Sequence, residues 1–169
     1  MSPTTVAVLL LFSINNIVYS AAKFVPESIT SCEEGEQYVN MNSKPVGEDR
    51  EWTGDATIPF EIDQTTEFAM DFYWWKNDKW EQNGKTTKGK VCFYFERFAG
   101  HLWSQIKQAA QPKLLEDCHV PSGKYEFDKF VPDLSDLIIP VGGKGRASAT
   151  FTMKKGEKTL CVIITGDFE

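Results

Sequence analysis

The sequence predicts an all-β domain, a cup or sandwich of two antiparallel sheets, with one amphipathic helix. Short segments in which apolar and polar residues alternate recur along the chain, as they do in half-buried strands. Turn residues such as Asn83-Gly84 and Gly156 separate these segments. Only residues 96–110 space their apolar side chains as a helix does. Strands joined by turns, with a single helix, are typical of two packed sheets.

The N-terminus predicts a secreted protein. No charged side chain precedes Lys23, and residues 6–12 form a short apolar run. Small residues at 20–22 complete the pattern of a signal peptide, which we place at 1–20 and expect to be cleaved at about residues 20–22. A transmembrane anchor is the alternative, but spanning a bilayer takes about 20 mostly apolar residues, and Asn15-Asn16 interrupts the run. Residues 21–169 then form a single domain.

The first half of this domain contains two clear alternating segments, 58–63 and 68–75. Because side chains alternate between the faces of a strand, the second segment presents large apolar groups on one face. The acidic segment 27–51 predicts one short strand followed by a loop. Residues 76–90 carry a net charge of +3 and predict a hairpin or long loop turning at Asn83-Gly84. Its lysines either contact an anionic surface or keep a solvated loop soluble.

The helix is expected over residues 96–110 and must end before Pro112. Its apolar stripe consists of Phe95, Phe98, Leu102, Ile106 and Ala109.

After the helix the chain returns to strands. Residues 125–127 follow a turn, and 146–153 and 159–165 are predicted as the last two strands. An apolar stretch lies between residues 127 and 146, and Pro140 excludes it from a central strand. We interpret it as a loop that either forms an apolar rim, together with Trp52 or Trp80, or packs under the sheet. The rim residues are Leu137, Ile138, Ile139 and Val141.

Four cysteines in a secreted chain predict two disulfides, which can pair in three ways. Cys32 lies in the first structured segment and Cys161 in the last strand, so their pairing would join the two ends of the domain. Cys92 would then pair with Cys118 across the helix. This nested arrangement is the prediction.

Composition and motifs argue against several classes of function. The net charge of −6 is unlike that of a nucleic-acid-binding protein, so no nucleic acid is expected. The chain has only two histidines and lacks the Gly-x-Ser-x-Gly, Walker and His-Glu-x-x-His motifs. We therefore expect no catalytic residues and no cofactor, although a pair of acidic groups working as in a glycosidase has no sequence signature. Cys118-His119 lacks further ligands at metal-site spacing, so no metal is expected.

Several motifs resemble the ganglioside-activator family. Residues 118–125 are similar to its Cys-Pro-x-x-x-Gly-x-Tyr turn, and 131–134 to its Val-Pro-Asp-Leu. Residues 156–162 resemble its closing Gly-x-x-Leu-Gly-Cys hairpin, and 95–98 its Phe-Glu-x-Phe. Insect secreted proteins, the chemosensory CheB group and the ML-like lipid-recognition proteins, share this outline. The resemblance covers residues 90–169 by motif and 25–90 by strand pattern alone, and the family has more than four cysteines.

The resemblance implies a β-cup whose two sheets enclose an apolar cavity for a lipid tail. It also implies that the first and last cysteines pair. The alternative is that the same inward side chains simply fill a closed core. Candidate lining residues are Ile58, Phe60, Phe68, Met70, Phe72, Trp74, Phe95, Leu102, Ile106, Phe151 and Met153.

The N-terminus, the cysteines and the lack of catalytic motifs predict a secreted, non-enzymatic protein, which we expect to be a monomer. The family resemblance implies that it carries a lipid or other hydrophobic small molecule. The resemblance to the CheB group implies a cuticular hydrocarbon or pheromone as the ligand and a role in chemosensation. Transient contact with a membrane or receptor is expected. The alternative is an accessory protein of a receptor or channel ectodomain that has no ligand of its own.

Overall fold

A computed structural model describes residues 23–32, 38–115, 117–134 and 144–169. The expected signal peptide at 1–20 and the rim residues Leu137, Ile138, Ile139 and Val141 lie outside these residues. The described strands are β1 Phe24–Ser31, β2 Val39–Val46, β3 Asp49–Ile58, β4 Glu67–Lys76, β5 Lys79–Gln82, β6 Thr87–Lys90, β7 Gly123–Phe130, β8 Gly145–Lys155 and β9 Lys158–Phe168. The described helices are α1 Val91–Phe98 and α2 Gly100–Ala109.

The strands form two antiparallel sheets, which confirms the predicted all-β class. The larger sheet has the order β1-β9-β8-β4-β5, with β6 also paired to β4, and the smaller has the order β2-β3-β7. The predicted strands 68–75, 125–127, 146–153 and 159–165 all lie within observed strands. The side chain of Ser43 in β2 donates a hydrogen bond to the carbonyl oxygen of Glu27 in β1, at 3.1 Å, which links the sheets along one edge.

Both predicted disulfides are present. Cys32 is bonded to Cys161 and Cys92 to Cys118, so the nested arrangement is confirmed. The first bond joins the end of β1 to β9, its neighbour in the sheet. The second joins α1 to the segment that leads into β7.

The prediction of one helix over 96–110 is wrong at its start and in its continuity. The helix begins at Val91, whose N–H donates to the carbonyl oxygen of Thr66 at 3.1 Å. It breaks at Ala99, which has non-helical angles (φ −141°, ψ 26°), and α2 starts at Gly100. Glycine has low helix propensity, and the break lets the rings of Phe95 and Trp103 pack together across it, with centroids 4.6 Å apart.

Three strand predictions in the first half also need correction. Segment 58–63 is not a strand, because β3 ends at Ile58, before Pro59, which has no N–H to donate to a ladder. Phe60 and Ile62 are nevertheless buried, and Ile62 forms an isolated bridge with Val120. The acidic segment 27–51 contains most of β1, all of β2 and the start of β3 rather than a strand and a loop. The β4–β5 hairpin turns at Asn77 and Asp78, where φ is 50° and 58°, and not at Asn83-Gly84.

Residues 83–86 instead interrupt the edge of the larger sheet. Strands β5 and β6 pair with the two halves of β4. Between these halves, Asp71 and Phe72 lie opposite the four residues 83–86. The Asp71 carboxylate accepts hydrogen bonds from Gln82 at 2.8 Å and from Thr86 at 2.6 Å. One carboxylate thereby fixes both ends of the interruption.

Candidate functional site

The inner faces of the two sheets carry most of the predicted lining residues. Strand β4 directs Phe68, Met70, Phe72 and Trp74 inward, as the alternation predicts, and all but Met70 are buried. Strand β8 directs Ala147, Ala149, Phe151 and Met153 to the same side. The shared face follows from period two: Phe72 lies opposite Ala149 and Trp74 opposite Ala147 in register.

These side chains gather into two apolar clusters. The first cluster contains Phe60 and Phe68, with Ile58, Met70, Phe95, Phe151 and Met153 packed against it. The second contains Phe72 and Trp74, with Phe151 packed against it as well. Leu102 and Ile106 on α2 are half-buried and belong to neither cluster. Nine of the eleven predicted lining residues therefore belong to or pack against these two clusters.

The second cluster is tightly filled. The rings of Phe72, Trp74 and Phe168 lie 5.4 to 6.0 Å apart by their centroids. They cover the small residues Ala147 and Ala149, which are 0% and 7% exposed. Large rings over small side chains fill the space without a void. This end of the interior is closed core.

A row of partly exposed side chains crosses the middle of the larger sheet between the two clusters. Met70, Phe151 and Val162 lie side by side on β4, β8 and β9, and each is half-buried. Strands β8 and β9 are flanked by other strands on both sides. An inward side chain there is therefore exposed on the inner face of the sheet and not at an edge of it. Ile58 and Phe127 on the smaller sheet are also half-buried, and both pack against the first cluster.

The structure places the two tryptophans predicted for the rim in different environments. Trp52 lies in β3, not in a loop, and is only 2% exposed, so it is part of the interior. Trp80 lies in β5 and is 40% exposed, and its ring contacts that of Trp75 at a centroid distance of 5.1 Å. Of the two tryptophans predicted for the rim, only Trp80 lies on the surface.

A separate pocket of about 400 Å³ lies beside the Cys32–Cys161 disulfide. None of the predicted lining residues borders it. The sequence offers no signal for it, because its walls come from three distant segments that combine charged, polar and apolar groups. It is lined by Ser31, Cys32, Tyr38, Pro59, Glu157, Lys158, Thr159 and Cys161.

A charged cluster near this pocket holds the 61–66 segment against the β8–β9 hairpin. Lys155 Nζ lies 2.7 Å from Asp63 and 3.2 Å from Glu61, and His119 Nε2 lies 3.2 Å from Glu61. Asp63 also accepts hydrogen bonds from the N–H and hydroxyl of Thr65 at 2.8 and 2.6 Å. The hydrogen bond from Lys155, followed by those from Thr65, holds the pKa of Asp63 well below its ordinary value.

This cluster predicts a specific loss of stability in acid. A depressed carboxyl pKa contributes stability that is present above the ordinary pKa, about 3.9, and is lost as the pH falls below it. Asp63→Asn should lower the free energy of unfolding at neutral pH by about 1 kcal/mol. The variant should also lose less free energy of unfolding than the wild type between about pH 4 and pH 2, the two units or so below the ordinary pKa. Urea unfolding at neutral pH, at about pH 4 and at about pH 2 measures both the difference at neutral pH and the loss in acid. The exposed Asp128→Asn is the control, and an acid loss in Asp63→Asn equal to that of the wild type would contradict the role of Asp63.

Among the residues that the structure describes, no three His, Cys, Asp or Glu side chains are arranged to hold a metal ion. His101 is an exposed residue of α2 whose Nε2 lies 3.5 Å from Asp133. None of the helices that the structure describes is long and apolar enough to cross a membrane.

No protein-family model and no curated protein matches the chain.

Proposed function

We propose that this protein is a secreted, non-enzymatic carrier that holds a lipid or another hydrophobic small molecule between its two sheets. The observation that carries the proposal is the half-buried row of Met70, Phe151 and Val162 on central strands. In a closed sandwich these inward side chains would be fully buried against the opposite sheet. Partly exposed apolar groups on an inner face support an apolar ligand as the occupant.

The energetics suit an alkyl chain. Moving one CH₂ group from water to an apolar site contributes about 0.8 kcal/mol. A ten-carbon chain would therefore gain on the order of 8 kcal/mol before the cost of ordering it. The methionines Met70 and Met153 beside this space are flexible, so they can adapt to ligands of different shape.

Secretion and the sensory setting have separate support. Two disulfides fit a protein that folds in an oxidising compartment. A cuticular hydrocarbon or pheromone as the ligand, and a role in chemosensation, rest on the sequence resemblance alone.

A matched pair of substitutions on β9 tests the proposal. Val162→Trp adds bulk to the half-buried row, whereas Ile163→Trp adds the same bulk on the opposite face of the same strand. We expect Val162→Trp to weaken binding of the fluorescent fatty acid cis-parinaric acid by about tenfold or more, the effect of losing two or more buried CH₂ contacts. Its unfolding midpoint in urea should stay close to that of the wild type.

Ile163→Trp should bind the probe as the wild type does. If the interior is instead closed, the wild type will not bind the probe, and Val162→Trp will lose about 1–3 kcal/mol of stability through overpacking. That result would favour a protein without a ligand of its own.

A further inference from the structure

Helix α1 presents aromatic rings to solvent. Phe93 is 58% exposed, and Phe98, a member of the predicted apolar stripe, is 41% exposed. Tyr94 stacks on Phe98 at a centroid distance of 5.5 Å and meets Phe93 edge-on at 5.6 Å. Phenylalanine has no polar group to gain from this exposure, so an uncovered cluster of this kind indicates a contact surface.

The same rings lead back to the interior. Tyr94 also packs against buried Phe68, with centroids 4.9 Å apart, and its hydroxyl donates to the carbonyl oxygen of Lys88 at 3.2 Å. We call the series Phe68, Tyr94, Phe98 and Phe93 the aromatic ladder. It runs from the first cluster to the surface at the β6 edge of the larger sheet.

Positive charge surrounds the exposed end of the ladder. Residues 85–98 contain four basic side chains and one acidic one, a net charge of +3, although the whole chain carries −6. Arg97 follows Phe93 by four positions and so shares its helix face. Lys88 is held beside the ladder through Tyr94. Lys85, Lys88 and Arg97 are all exposed, and none of them forms an ion pair within the part of the chain that the structure describes.

Exposed aromatics combined with basic groups match one kind of surface well. Aromatic side chains enter the boundary between headgroups and acyl chains, while Lys and Arg are attracted to anionic lipids, at about 1 kcal/mol for each basic residue near the surface. The remainder of the protein is acidic, so anionic lipids would repel other faces and orient the molecule with α1 toward the bilayer. A protein partner would need a recess for two phenylalanines within an acidic surface.

We propose that α1 and β6 form a docking surface for a bilayer that contains anionic lipids, with Phe93 and Phe98 inserted and with Lys88 and Arg97 at the headgroups. Docking there would place the ladder, and through it the first cluster, beside the lipid layer. Docking does not require an occupied cup, so this proposal and the proposed carrier function can fail separately.

Vesicle flotation tests the proposal with the full secreted chain. The wild type should bind phosphatidylcholine vesicles that contain phosphatidylserine, bind poorly to phosphatidylcholine alone, and dissociate at high salt. Phe93→Ser/Phe98→Ser should weaken binding by about tenfold or more. Lys88→Gln/Arg97→Gln should weaken it by about thirtyfold. Both variants should keep the wild-type affinity for cis-parinaric acid in the absence of vesicles.

Matched controls lie elsewhere on the protein. Trp75→Ser/Trp80→Ser removes aromatic rings that are 42% and 40% exposed, and Lys154→Gln/Lys158→Gln removes two exposed charges. Both should bind vesicles as the wild type does. Equal losses in the controls, or no vesicle binding by the wild type, would overturn the proposal. A dimer in sedimentation that Phe93→Ser/Phe98→Ser abolishes, without vesicle binding, would assign the surface to a second copy of the chain.

Discussion

Replacing Cys32 and Cys161 together with alanine is expected to lower the free energy of unfolding by up to about 5 kcal/mol. The disulfide joins residues that are 129 positions apart in the sequence. Without it, the unfolded chain gains the freedom of that whole loop, and the chain-entropy estimate of the gain grows with loop length. Domains of this size are stable by only 5–15 kcal/mol, roughly. The variant should therefore unfold at a much lower urea concentration.

The measurement is urea unfolding of wild type and variant under oxidising conditions. A peptide map of the wild type without reductant serves as the control and must link the peptides that contain Cys32 and Cys161. A loss below about 1 kcal/mol would be less than a quarter of the stabilisation that the chain-entropy model gives for a loop of this length. It would contradict the disulfide's role and show that β1–β9 pairing alone holds the ends of the domain together.

Gly166→Ala is expected to cost about 3 kcal/mol or more, the upper range for single substitutions. A methyl group at this position would run into the carbonyl oxygen of Val25 and the Cα of Pro26, which are backbone atoms of β1. Pro26 pairs directly with Gly166, and β1 shifts register immediately after it, between Pro26 and Ser28. Making room means moving β1, which also disturbs the packing of Phe24 on Phe168, whose centroids are 4.9 Å apart.

Gly100→Ala is the matched control for this prediction. An added methyl group there meets only the carbonyl oxygen of Phe95 at 3.9 Å, an ordinary contact. Alanine is also the better helix former, so this variant should be neutral or slightly more stable. The free energies of unfolding of both variants come from urea titrations. A Gly166→Ala variant within about 0.5 kcal/mol of wild type, the range of harmless surface changes, would show that β1 is not packed closely against β9.

The sequence predicts strands well where their two faces differ in chemistry. In β4, Phe68, Met70 and Phe72 alternate with the smaller Ala69 and Asp71, and the observed inward face is the predicted one. The sequence pattern of strand β2 is weak because its inward positions, Val39, Met41 and Ser43, include a polar side chain and no aromatic one. Its position depends on pairing with β3, which is a tertiary interaction. Tertiary context likewise decides the break at Ala99, since the apolar spacing runs on through it.

The sequence predicts which side chains belong to the candidate site but not how closely they pack. Periodicity identifies which side chains face inward, and nine of the eleven meet in the two clusters. It cannot show that Phe72 and Trp74 are closely packed while Met70 and Phe151 stay half-buried, because that depends on the distance between the sheets. Phe98 likewise fits the apolar helical stripe in the sequence but is exposed in the structure, because the covering of a helix face depends on tertiary packing. The aromatic ladder therefore has no sequence signature.

Analysis of the molecules bound to the protein tests the carrier proposal most directly. The protein is purified from its native source without detergent, extracted with organic solvent, and the extract is examined by mass spectrometry. The proposal predicts a lipid, fatty acid or hydrocarbon near one molecule per protein chain, and less of it from Val162→Trp expressed in the same source. Protein that yields no hydrophobic molecule, and whose interior also fails to take up cis-parinaric acid, would contradict it.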